Sequence, residues 1–168
     1  MKSWKKSAGV MVVLMLAAAV VIACPSKKQH SVMDADSISG ASLWSYISSD
    51  SPYENWKMWP GKQAFYEGTS PHGKLLTTYV NDVGYNAAKL KLPRYPHGTV
   101  IVKENYKPDK TLAAVTVMAK VPDYNPSAGD WFWAKYSPQG QVQKSGRVKG
   151  CIDCHGDAKK TDWVFTSR

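Results

Sequence analysis

The chain has 168 residues, 43% of them apolar and 21% charged, with seven tryptophans and a formal charge of +9. That length and apolar share are enough to bury a core in one domain, which excludes a disordered protein, and the sequence shows no repeat period. The positive balance suits an anionic membrane surface or an acidic redox partner as well as plain solubility, and no arginine-rich or aromatic-basic stripe points to nucleic acid.

Taken in order, Lys2, Lys5 and Lys6 precede an uncharged apolar run over residues 8–23. Its sixteen residues are short for a stable transmembrane helix. The run ends in Val21-Ile22-Ala23-Cys24, small residues before a cysteine, as in a bacterial lipobox cleaved before Cys24 once its thiol carries a diacylglycerol. The expectation is a signal peptide over residues 1–23, a polar tether over 24–36 containing a solvated His30, and a domain over 37–168. The protein would then be a periplasmic lipoprotein of the bacterial envelope, held to the membrane by Cys24. An ordinary signal peptide or an uncleaved anchor, with Cys24 incidental, is the alternative. Loss of residues 1–23 removes three lysines and no acid, lowering the formal charge to +6.

Ile38, Leu43, Trp44 and Ile47 predict a short amphipathic helix over residues 37–47, capped by Ser37 or Ser39. Residues 51–70 are aromatic but broken by Pro52, Pro60 and Gly61, so no regular structure is expected there. Strands are expected over 73–81, 98–105, 111–121 and 131–136, with a shorter, more polar edge strand over 141–148. A helix over 82–92 separates the first two and ends at Pro93, Pro96 and Gly98. The apolar run in 98–105 suggests burial on both faces. Short turns between strands make the sheet antiparallel, and the class is α+β with about five strands and a few helices.

After the last strand stands Cys151-Ile152-Asp153-Cys154-His155, the C-x-x-C-H signature of c-type haem attachment. Two thiols at this spacing add to the two vinyl groups of one haem, and the neighbouring imidazole becomes the proximal iron ligand. The three cysteines are then all used, Cys24 by lipid and Cys151 and Cys154 by haem. A thioredoxin-type motif would open a helix after an early strand in a βαβ unit, and a zinc site needs two further clustered ligands. Neither pattern is present. A β-rich chain with its haem motif late also differs from the small helical cytochromes c.

The segment Cys151 to His155, followed by Lys160-Thr161-Asp162 and Val164-Phe165-Thr166, resembles the end of cytochrome P460. Gly98-Thr99-Val100 leading into Val102-Lys103-Glu104, Gly129-Asp130-Trp131 opening an aromatic strand, and Thr77-x-Tyr79-Val80 match in the same order. The resemblance implies a mainly antiparallel sheet carrying a single covalent haem c, as in the cytochromes c′-beta, and often a homodimer. It places at Lys103 the family's lysine bonded to the haem macrocycle, where the residues alone read as a lysine that snorkels to solvent or pairs with an acid. It implies oxidation of hydroxylamine on the iron and reaction with nitric oxide, with electrons passing to a redox partner protein.

There are departures from that pattern. The family's distal acid corresponds to Thr116 or Val115, in a strand whose only ionisable residue is Lys120. Its distal aromatic is replaced by His72-Gly73. Water or Glu104 would then have to take the substrate's protons. His72, His97 and Met118 are the residues that could reach the sixth iron position; both histidines lie in Pro-His-Gly turns, and Met118 reads equally as core. Trp131, Phe132 and Trp133 read mostly as core. The expected function is a monohaem cytochrome that binds or oxidises small nitrogen ligands. The alternatives are an electron-transfer or nitric-oxide-binding haem protein without turnover, and a non-haem lipoprotein with an accidental motif.

Overall fold

The computed structural model describes Met1 and residues 32–165, so the apolar run, Cys24 and His30 lie outside the described residues. The first helix, α1 (Gly40–Ser45), starts at Ser39, whose hydroxyl accepts from the Ser42 amide while the Ser42 hydroxyl accepts from the Ser39 amide. This reciprocal cap satisfies donors that a helix start leaves free. The helix runs on into a π turn over Tyr46–Asp50. A second helix, α2 (Asp82–Lys89), is capped by Asn81, whose carbonyl oxygen also accepts from the Val100 amide while its NH2 donates to the Gly98 carbonyl. One side chain thus fixes the start of α2 to the start of the next strand.

The sheet contains the five expected strands, here β3 (Leu75–Val80), β4 (Val100–Tyr106), β5 (Leu112–Lys120), β6 (Trp131–Tyr136) and β7 (Val142–Gly146). They are antiparallel neighbours in that order. Two further strands of two residues each, β1 (Lys57–Met58) and β2 (Tyr66–Glu67), pair with opposite ends of β3. They lie in the segment expected to be irregular. A two-residue bridge carries no alternation of its own and forms only because β3 offers an edge. The fold is α+β with a seven-stranded antiparallel sheet.

Alternation along β4 sends Val100, Val102 and Glu104 to one side of the sheet and Ile101, Lys103 and Asn105 to the other, with five of its seven residues buried. On the first side, Val102, Val117, Phe132 and Tyr136 pack against Leu43, Ile47 and Tyr53 of the N-terminal segment. Met33 and Ala35, in the described part of the expected tether, pack against this core too. The Tyr136 hydroxyl donates to the Gly40 carbonyl at 2.9 Å, joining α1 to β6. On the second side, Ile101, Met118, Trp131 and Trp133 meet α2, Trp163 and Val164. Here the core covers only part of the sheet and leaves a cavity. Among the described residues no helix is long and apolar enough to cross a membrane.

Candidate functional site

The whole C-x-x-C-H motif lies in one helix, α3 (Lys149–His155). Cys151, Cys154 and His155 stand at i, i+3 and i+4, which puts them on one helix face, and all three line the cavity. His155 is buried, with its Nδ1 2.7 Å from the Trp163 carbonyl oxygen. A carbonyl can only accept, so Nδ1 carries the proton and Nε2 keeps its lone pair, the form in which imidazole ligates a metal. Burial pushes the His155 pKa down and favours the neutral ring, against the Trp163 hydrogen bond, which raises it.

That carbonyl is placed by an unusual chain reversal. Asp162 and Trp163 both have left-handed backbone, with φ of 58° and 61°, a region that non-glycine residues seldom enter. The surroundings hold them there. The Asp162 carboxylate receives the Lys120 ammonium in an almost fully buried ion pair and accepts from the Tyr95 amide at 2.8 Å. The Asp162 carbonyl accepts from the Trp131 indole at 2.8 Å. Lys120, the one ionisable residue expected in its strand, is therefore committed to this anchor and does not line the cavity.

The cavity, about 610 Å3, lies between α3, the uncovered part of the sheet and the segment around residues 66–73. This falls in the range of cofactor-sized sites. Four residues paired across adjacent strands, Lys103, Thr116, Lys135 and Lys144, form a row along its sheet wall. Lys135 and Lys144 are direct cross-strand neighbours, an unfavourable like-charge pair unless an anion lies between or near them. The buried indole N–H of Trp133 has no acceptor among the described residues, and its ring stands 4.7 Å from that of His155. Phe165 packs on His155 at 5.2 Å. A haem fits this set: two thiols and an imidazole on one helix face, aromatic and aliphatic walls, and lysines that would welcome its carboxylates. Among the described residues no group of three or more His, Cys, Asp or Glu side chains is arranged to hold a metal ion by itself.

Lys103 projects into the cavity, half-buried. Its ammonium has no hydrogen bond or ion pair among the described residues, and desolvation, with nearby Lys62 adding to it, lowers its pKa to about 8. Glu104, the next residue, faces the other side of the sheet. There it accepts from the Tyr53 hydroxyl at 3.0 Å and the Tyr106 hydroxyl at 2.7 Å, and burial together with this carboxylate pushes both phenols up. Glu104 therefore cannot take a proton from anything in the cavity, which corrects the role weighed for it above. The strand alternation that put Lys103 with Ile101 already assigned it to the opposite face. Glu67, exposed at the rim, is the only carboxylate among the described lining residues.

His72 enters the cavity from the segment before β3, with its ring 6.3 Å from that of His155. Thr116 and Met118 are on the cavity wall and Val115 is in the opposite core. His97 is half-exposed, 3.7 Å from Asp130, and does not line the cavity. Sequence reasoning missed Asn105, whose amide oxygen holds His72, and Asp162, whose buried pair with Lys120 anchors the reversal that brings the Trp163 carbonyl to His155. Both act by long-range pairing, for which a single sequence carries no signal.

No curated protein matches the chain. The model of the cytochrome P460 family matches residues 51–166, more than two-thirds of the sequence, from the aromatic segment before β1 to the far side of the haem motif. The resemblance read from scattered residues thus extends through the whole sheet, and the chain belongs to the cytochrome P460 family, whose members are c-type haem proteins.

Proposed function

We propose that this protein is a lipid-anchored periplasmic cytochrome with one haem bonded through Cys151 and Cys154 and His155 below the iron. In this reading Lys103 is bonded to the ring edge, and the iron binds or oxidises hydroxylamine and nitric oxide. The observation that carries it is the Lys103 ammonium, unpartnered in the cavity wall with its pKa lowered to about 8. At pH 7 roughly a tenth of such a group is free amine, a nucleophile that an ordinary lysine is not. Joining Nζ to a ring carbon replaces one N–H and one C–H by a C–N bond. Two electrons and two protons leave, so a two-electron oxidant such as a peroxide must take part.

The haem supplies a ligand position at iron and a store for single electrons. The chain's own residues hold and shield it. Trp133 and Phe165 flank the proximal imidazole, and Trp163 fixes its tautomer. Lys62, Lys135 and Lys144 offer a basic rim to the propionates and to an acidic redox partner. Protons released from a substrate leave through water, since among the described lining residues no carboxylate lies deeper than Glu67. Anaerobic addition of hydroxylamine to the oxidised haem-loaded protein tests this. Reduction of the haem is expected, and a spectrum unmoved by both hydroxylamine and nitric oxide would leave the second reading, an electron carrier. That reading is favoured by the position of His72.

A further inference from the structure

We propose that His72 is the resting sixth ligand of the iron, opposite His155, so that the site is closed until His72 leaves. This rests on the haem position proposed above. The two rings lie 6.3 Å apart at an interplanar angle of 86°. A metal–imidazole bond of about 2 Å, plus about 1.1 Å from nitrogen to ring centre, sets two imidazoles trans across one metal roughly 6 Å apart. A third molecule between iron and His72 would need about 3 Å more, the difference between a bond and a hydrogen-bonded ligand.

The tautomer agrees. The Asn105 NH2 group donates to the Lys103 carbonyl at 2.8 Å, the Ala114 carbonyl at 3.2 Å and the Thr116 hydroxyl at 3.1 Å. Its orientation is therefore fixed, and its oxygen accepts from the Gly73 amide at 3.3 Å and from His72 Nδ1 at 2.9 Å. His72 Nδ1 is the donor, and Nε2 keeps a lone pair. A ring in this state cannot donate a hydrogen bond to an iron-bound substrate; it can ligate. Each imidazole is thus anchored through Nδ1–H to a carbonyl oxygen, as metal-bound histidines are.

The placement is built in. A Cβ on Gly73 would come within 2.5 Å of the Tyr106 backbone nitrogen and 2.6 Å of its oxygen. Only glycine allows the chain to lie this flat on β4, and that approach brings His72 to Asn105. The His72 amide closes the preceding turn on the Thr69 carbonyl at 3.0 Å.

The test uses the full chain, loaded with haem during export. The oxidised wild type is expected to be low-spin by visible and electron paramagnetic resonance spectroscopy, with the strong anisotropy of perpendicular imidazole planes. His72→Ala should be high-spin, revert to low-spin on adding imidazole, and bind cyanide at least about tenfold more tightly, because the open form is no longer a minority. His72→Met, which keeps a ligating side chain, should stay low-spin with a raised reduction potential. Asn105→Leu should loosen the ligand and give a mixed-spin spectrum. A high-spin wild type, or a low-spin spectrum unchanged in His72→Ala, would overturn the proposal while leaving the haem in place. Absence of covalent haem is a different result, which sinks the haem assignment itself.

Discussion

Lys103 carries an ammonium whose charge the fold tolerates poorly. Its pKa in the folded chain, about 8, lies below the ordinary 10.5, so between those values the unfolded chain binds more protons than the folded one. Stability of the haem-free protein therefore rises as pH climbs from about 8 towards 10.5, and below 8 the buried ammonium is a standing cost. Lys103→Met should raise the melting temperature at pH 7 by a few degrees and remove that rise, as read by thermal melts across the range. An unchanged pH profile would mean that the ammonium is already solvated. The contrast between His72 and His97 belongs to the same scale. Both sit in Pro-His-Gly, yet one is clamped by Asn105 inside the cavity and the other rests half-exposed beside Asp130. The tripeptide is identical; what it lies against, which no local pattern records, decides the outcome.

Four of the main strands were legible because β-branched and aromatic residues fill two largely buried faces, as in Val100–Tyr106 and Leu112–Lys120, and β7 was legible as a short, polar edge. The haem motif was legible because its spacing is covalent chemistry. β1 and β2 were not, because each exists only as a partner for an edge of β3. The reversal at Asp162 and Trp163 was not, because it depends on Lys120, 42 residues earlier. That anchor is testable. Asp162→Ala leaves the Lys120 ammonium buried and unpaired, which should cost about 3–5 kcal/mol in urea denaturation. It should also change the haem spectrum, since the Trp163 carbonyl no longer orients His155. On the other side of the sheet, Leu43→Ala empties a fully buried site in α1. It should cost about 2–5 kcal/mol and leave the haem spectrum as it was. Together the two variants separate the structural core from the site.

At the scale of the molecule, one sheet serves two unlike sides. The side covered by α1 is an aliphatic and aromatic core with a buried Glu104–tyrosine cluster; the other holds a basic-rimmed cavity, the haem motif and two facing histidines. The proposed lipid anchor is tested at this scale too. Cys24→Ser should move the protein from the membrane to the soluble periplasmic fraction with its haem spectrum unaltered; continued membrane association would point to an uncleaved segment. The central claim is that this cavity holds a P460-type haem, and mass spectrometry of a protease digest tests it most directly. The account predicts haem on the peptide containing Cys151 and Cys154 and the same haem joined to the peptide containing Lys103. Haem on the cysteine peptide alone, with the Lys103 peptide recovered free, would contradict it.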